Sequence, residues 1–185
     1  MSWFQAEPKK SLELIQLSAA SKEASIIDVG GGASVLVDRL LSQGYKDLSV
    51  LDISAAALGH SKKRLGERAR RVHWFEADIT RFEPPHQYDV WHDRAVFHFL
   101  TDSLDRAKYA ALVWGAIKPA GHLILASFAP DGPEKCSGLT VCRYDAGLIS
   151  AELGPEFQLI REEAEDHLTP WDKEQKFRYF LFKRS

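Results

Sequence analysis

Apolar residues in this chain come in short runs separated by turn residues, and the runs alternate in kind. Ile26-Ile27-Asp28-Val29 is β-branched and strand-like, and Gly30-Gly31-Gly32 follows at once. Residues 34–43 have a helical period, with Val35, Leu36, Leu40 and Leu41 as the buried stripe and Gly44 as the stop. Leu48-Ser49-Val50-Leu51-Asp52 predicts a second strand. Ser54 caps a helix that runs to Leu65 and ends at Gly66. Val72-His73-Trp74-Phe75 and Tyr88-Asp89-Val90-Trp91 predict the third and fourth strands, with Pro84-Pro85 marking the loop between them. A long helix over 102–117 buries Tyr109, Leu112, Val113, Ala116 and Ile117. Pro119-Ala120-Gly121 then turns the chain into a fifth strand at 122–127. A short amphipathic helix over 11–17, with Ser11 as candidate cap, precedes all of this.

The last third changes character. Residues 128–143 form a polar loop around Asp131-Gly132-Pro133, and a short helix covers 145–153. Strands at 157–160 and 177–183 follow with no helix between them, which predicts an antiparallel hairpin at one sheet edge. Strand-helix alternation over 120 residues is the pattern of an α/β fold. The expectation is a doubly wound, seven-stranded, mostly parallel sheet with helices on both faces and the last strand antiparallel. No repeat or linker divides the chain, so residues 1–185 are expected to form one domain, with 1–20 a helical lid segment within it.

Composition narrows the function. The 45% hydrophobic and 27% charged content is ordinary for a globular chain and argues against a disordered or fibrous one. The 24 Lys and Arg against 26 Asp and Glu give −2, which does not favour broad capture of nucleic acid. Lys62-Lys63-Arg64 with Arg68, Arg70 and Arg71 is one candidate for a small basic patch. Two cysteines, Cys136 and Cys142, make neither a disulfide framework nor a four-ligand zinc site. A reducing, cytoplasmic setting is expected. No signal peptide is visible and no apolar window is long enough for a membrane span.

The glycine run lies where the first strand meets the first crossover helix. Glycines there let a ligand approach the main chain, and the helix start offers free amides to a polar or anionic group. The dinucleotide fingerprint wants a further glycine where Val35 stands, and the phosphate-loop motif wants a lysine that is missing. Asp52 closes the second strand, 22 residues after Gly30, where a carboxylate can accept two hydrogen bonds from a ribose diol.

Four motifs in order carry a resemblance. Asp28-x-Gly30-x-Gly32-x-Ser34, then Asp52-Ile53-Ser54, then Glu76-Ala77-Asp78-Ile79, then Tyr88-Asp89-Val90-Trp91-His92-Asp93-Arg94 are similar to class I S-adenosylmethionine-dependent methyltransferases, a Rossmann-like fold. Lys118-Pro119-x-Gly121 fits the turn before that family's fifth strand. One departure is Ser34, where many members carry a third glycine. The resemblance implies S-adenosylmethionine as cofactor. It places Asp28, Gly30, Gly31, Gly32 and Ser34 at the methionine moiety, Asp52 at the ribose, and Ile53, Asp78 and Ile79 at the adenine. His92, Asp93 and Arg94 would then form a substrate-side site at the end of the fourth strand.

A lid is expected from three segments: Trp3-Phe4-Gln5, residues 128–144, and His167-Leu168-Thr169-Pro170-Trp171 with Gln175 nearby. Methyl transfer from a sulfonium donor needs alignment and exclusion of water, not a metal or a covalent intermediate. If a base is needed, His92, His98 and His167 are the candidates, with His167 in the lid, and His98 also reads as a helix-side histidine. Dispersed histidines make no metal site, and neither cysteine has an activating partner. Two acceptor classes stay open, a small molecule first and a protein (lysine) second. The third reading is a non-catalytic, cofactor-binding regulatory protein.

Overall fold

The computed structural model describes residues 5–19, 21–168 and 174–185. Trp3, Phe4, Thr169, Pro170 and Trp171 of the expected lid lie outside them.

The chain runs α1 (Lys9–Ser18), β1 (Ser25–Val29), α2 (Leu36–Ser42), β2 (Asp47–Asp52), α3 (Ala55–Leu65), β3 (Val72–Glu76) and β4 (Tyr88–Arg94). It continues as α4 (Ser103–Ala116), β5 (Ile117–Phe128), β6 (Lys135–Cys136), β7 (Leu139–Thr140), α5 (Ala146–Leu153), β8 (Phe157–Leu168) and β9 (Glu174–Arg184). Seven strands form one sheet in the order β3-β2-β1-β4-β5-β9-β8. β1 to β5 pair in parallel, and β9 is antiparallel to both of its neighbours. The late hairpin therefore sits at one edge, with β8 outermost.

Period-two alternation splits the strands between two cores. Ile26, Val50, Val90, Ile124, Tyr179 and Leu181 face α1, α2 and α3, where Leu14, Ile15, Leu36, Leu40 and Leu58 meet them. Ile27, Leu51, Trp91, Leu123, Phe180 and Phe182 face α4 and α5, against Tyr109, Val113, Ile149 and Leu153. All five residues of β1 are buried, because helices cover it on both sides.

Local chemistry sets the helix ends. The Ser54 hydroxyl accepts from Ala57 N (3.2 Å), and Asp102 and Asp145 cap α4 and α5 in the same way. Gly66 ends α3 in the left-handed region, at φ 58°. Several boundaries differ from the sequence pattern, and β5 already begins at Ile117, so the expected Pro119-Ala120-Gly121 turn lies within that strand. Ser34 precedes α2 rather than opening it, its hydroxyl accepting from Leu36 N (3.0 Å). Ser11 lies inside α1 and is buried. β4 continues through His92, Asp93 and Arg94 because β1 and β5 pair with it on both sides. β8 has twelve residues rather than four, since pairing with β9 outweighs its polar composition. The register shift between Leu159 and Arg161 leaves Ile160 half-exposed.

The polar loop after β5 is also not bare loop. Ser137 (φ 51°) and Gly138 (φ 85°) make a two-residue turn of the primed type, which closes β6 and β7 into a small hairpin.

Candidate functional site

The ends of β1, β2 and β4, the segment after β3 and the β6–β7 hairpin enclose a cavity of about 820 Å³. Its position, outside the carboxyl ends of the parallel strands, is where doubly wound sheets place ligands. A second cavity of about 30 Å³ lies under α1 and is lined by Gln5, Ser11, Asp28, Gly31 and His92 among others. Gly30 and Arg94 line both.

The glycine loop is held from three sides. Gly30 N donates to Leu51 O (2.7 Å), Gly32 N to Asp52 Oδ2 (2.9 Å), and the buried Ser61 hydroxyl to Gly32 O (2.6 Å). Gly30 sits at φ 72°, and any side chain there would strike Val96. A Cβ on Gly32 would lie 2.5 Å from Asp52 Oδ2 and 2.8 Å from Ala57 Cβ. The loop must be glycine for the chain to pack this closely.

Asp52 has both oxygens fixed by backbone amides, Oδ2 by Gly32 and Oδ1 by Ser54 N (2.8 Å). Each oxygen keeps a second lone pair, and the side chain lines the large cavity. Asp78 lines it too. Hydrogen bonds from Thr80 N (2.9 Å) and the Thr80 hydroxyl (2.8 Å) hold its carboxyl below its ordinary value. Ile53 is 70% exposed although apolar, and Ile79 is buried, and both line the same cavity. The structure thus gathers Gly30, Asp52, Ile53, Asp78 and Ile79 around one space.

Asp28, Gly31 and Ser34 border the smaller cavity instead. Asp28 is buried. Its Oδ1 is 2.8 Å from His92 Nδ1, and its Oδ2 has no hydrogen-bond partner. A carboxylate only accepts, so Nδ1 carries a proton. His92 Nε2 pairs with Ser11 Oγ of α1 at 2.9 Å. Both ring nitrogens of His92 are therefore engaged in a buried Asp28–His92–Ser11 chain, which ties α1 to the end of β1.

Asp93 lines neither cavity. It is fully buried and accepts from Val96 N (2.9 Å), Phe97 N (3.2 Å) and the Tyr109 hydroxyl (2.7 Å). Burial pushes its carboxyl up to about 6, and the Tyr109 bond and the amides pull the other way. The folded chain therefore holds a proton here between about pH 4 and 6 that the unfolded chain has lost. Stability from this group is full below pH 4 and declines as pH rises through 6. The upward shift corresponds to about 3 kcal/mol. Relative to wild type, D93N should gain about that much between pH 4 and 7, whatever its stability at pH 4. Urea unfolding of both proteins across that range is the measurement, and a constant difference would contradict it.

Arg94 lies at the junction of the two cavities. Its Nε donates to the Tyr179 hydroxyl (2.8 Å), its Nη2 is 3.7 Å from Glu165, and the guanidinium is 4.3 Å from the Phe177 ring centroid. Gln5 and Tyr179 both donate to Glu165 Oε2 (2.9 and 3.1 Å). Burial pushes the Tyr179 phenol up to about 12, so it stays protonated. His167 is buried across from Gln175 on the β8–β9 hairpin, 6.3 Å from Phe177, and lines neither cavity. His98 is wholly buried between Phe99 and Phe128, its ring nitrogens have no hydrogen-bond partner, and burial pushes its pKa down to about 3. The structure does not bring these histidines to the cavity wall.

Residues 128–144, expected as a lid segment, supply the hairpin residues Cys136, Ser137, Leu139 and Thr140 to the far wall, while sequence reasoning missed Ala95, Val96, Phe99 and Leu100 there. The Ser137-Gly138 dipeptide was the available signal for that hairpin. Ala95 (φ 70°) and Ser137 are non-glycine residues in the left-handed region, and both sit on this wall. Among the described residues, no group of His, Cys, Asp and Glu is placed to hold a metal ion.

Comparison with known proteins places this geometry. The methyltransferase domain family matches residues 27–123. The chain is 30% identical over 101 residues to N-terminal Xaa-Pro-Lys N-methyltransferase 1 of Homo sapiens, covering 54% of this chain and 45% of that protein. The Xenopus laevis protein 1-A is 33% identical over 81 residues, 43% of this chain and 36% of its own length. The match thus spans less than half the length of these curated relatives. Among solved structures, the N-methyltransferase NodS from Bradyrhizobium japonicum WM9 superposes with TM-score 0.75 at 19% identity, over 95% of this chain and 94% of that one. A Burkholderia thailandensis 1,6-didemethyltoxoflavin-N1-methyltransferase gives 0.74 at 16% identity, over 96% and 77%. At these identities the superpositions show a shared fold.

Proposed function

We propose how this chain, which belongs to the methyltransferase domain family, uses its two cavities: it binds S-adenosylmethionine across the ends of β1, β2 and β3 and methylates a small molecule. When bound, S-adenosylmethionine supplies a methyl group activated by a positively charged sulfur. The observation that carries the assignment is that Asp52 and Asp78, at the ends of neighbouring strands, line one cavity together with Gly30 of the glycine loop. The residues fit the cofactor. Asp52 has oriented lone pairs for two ribose hydroxyls. Asp78 accepts from the adenine amino group, and Ile53 and Ile79 flank the ring. The unpartnered Asp28 Oδ2 beside Gly31 and Ser34 suits the methionine ammonium. His92 keeps Asp28 in place, and Asp93 shapes the turn that carries Val96 against Gly30. Gln5 and α1 exclude water from the methionine end.

A cavity of about 820 Å³ has room for a cofactor and a small acceptor together. The second acceptor class, a protein amino group, is favoured by the 30% identity to N-terminal Xaa-Pro-Lys N-methyltransferase 1. Among the described residues no helix is long and apolar enough to cross a membrane. We place the protein in the cytoplasm on its two free cysteines.

The test is D52A. Losing a charged partner for two ribose hydroxyls should weaken binding of S-adenosylhomocysteine roughly 10- to 150-fold in calorimetry. Unchanged affinity would mean that the ribose lies elsewhere.

A further inference from the structure

We propose that the outer face of α4 and α5 is the contact surface of a symmetric dimer, in which the partner is a second copy of this chain and α4 packs antiparallel on α4. The two helix layers of the sheet differ in what they show to solvent. On the α1–α3 layer the exposed residues include Lys9, Glu13, Arg39, Lys62 and Lys63, as a solvated face requires. On α4 they include Leu104 (70% exposed), Ala107, Ala111 and Trp114 (49%). Lys108, paired with Asp105 at 2.9 Å, is the one charged residue exposed on that helix. None of these residues lines either cavity. α5 exposes Gly147, Leu148 and Ala151. Its one charged residue, Glu152, pairs with Arg106 of α4 (2.8 Å), which holds the two helices side by side. Helices that are apolar on the outside as well as the inside belong in an interior.

The spacing of the stripe says what covers it. At about 100° per residue, Leu104, Ala107, Ala111 and Trp114 fall within an arc of about 80° on α4. Their intervals are three, four and three residues, so the stripe reads the same from either end. Bulk follows the same symmetry, with large side chains at both ends and alanine between. A twofold axis opposite position 109 therefore sets Leu104 of one copy against Trp114 of the other, and Ala107 against Ala111. The central alanines let the helix axes approach to about 8 Å. An isologous contact demands this self-complementarity, because each residue pair is made twice. A surface shaped for an unrelated partner has no reason to repeat itself about its own midpoint.

Size sets the strength. α4 has 14 residues, which makes it about 21 Å long, and α5 beside it widens the face to about 20 Å. The area is on the order of 500 Å² per copy, against roughly 800 Å² for a standard interface. A dimer that dissociates in the micromolar range is therefore expected. Lys108 and Asp105 lie at the margin of the stripe, where an interface carries its polar rim.

Sedimentation velocity of the whole chain, from about 5 to 500 µM, is the test. Wild type should pass from monomer to dimer across that range. A111E puts a carboxylate from each copy into the apolar seam and should raise the dissociation constant at least about tenfold. K63E, on the α3 layer, should leave it unchanged. Positions 63, 107 and 111 are exposed, so every variant should keep the wild-type circular dichroism spectrum. The register has its own test. A107K mixed with A111E should associate more tightly than either variant alone, because the twofold sets those positions opposite each other. Wild type that stays monomeric throughout overturns the proposal and leaves the face to a different protein. A dimer that A111E does not weaken, or a mixture no tighter than its components, overturns it as well.

Discussion

G32A is expected to lose about 150-fold in affinity for S-adenosylhomocysteine while keeping the sheet. The added Cβ would lie 2.5 Å from Asp52 Oδ2, inside any tolerated contact, and 2.8 Å from Ala57 Cβ on α3. Ala57 sits on the first turn of a capped helix and has little freedom to retreat. Asp52 must move, which breaks its 2.9 Å bond from Gly32 N and turns its lone pairs away from the cavity. Loss of one charge-assisted hydrogen bond together with the ribose contacts is worth roughly 3 kcal/mol, hence the factor. The circular dichroism spectrum should be unchanged, because Gly32 lies between elements rather than within one. Full affinity in G32A would show that the ligand does not use this loop.

The second large effect falls on stability. His92 is 2% exposed, and its ring joins Asp28 on β1 to Ser11 on α1. Removing the ring strands the Asp28 carboxylate, whose other oxygen already lacks a partner. Leaving a buried carboxylate without its hydrogen-bond partner, with a ring-sized cavity beside it, costs roughly 3 kcal/mol, so H92A should unfold at much lower urea than wild type. S11A removes only the outer hydroxyl, and about 1 kcal/mol is expected. A small effect for H92A and a larger one for S11A would contradict the chain of contacts as drawn.

The contrast between these two sites shows what a sequence discloses. The glycine loop, Asp52 and Asp78 were legible because each belongs to a local strand-end signal, and α/β alternation alone sets those ends side by side. Asp28 was legible as a first-strand residue that opens the glycine motif. Its partner was not, because the pairing of Asp28 with His92 is fixed by the β1–β4 register, across 64 residues. His92, Asp93 and Arg94 follow one another in sequence, yet successive side chains of a strand point to opposite faces. His92 meets α1, Asp93 meets Tyr109 on α4, and Arg94 reaches Tyr179 on β9. A motif that looks like one cluster on paper is thus three separate devices. The length of β8 was hidden for a similar reason. Its segment Glu162-Glu163-Ala164-Glu165-Asp166 is poor in apolar residues, and its strand is set by backbone pairing to β9 and by contacts such as Lys10 with Glu163.

The roles of Asp28, Asp52, Asp78 and Gly32 all depend on the glycine loop and its carboxylates binding S-adenosylmethionine. Calorimetric titration of the wild-type protein with S-adenosylhomocysteine, with NAD as the control, tests it most directly. Micromolar binding of the first and none of the second is expected. Binding of NAD, or of neither, would contradict it.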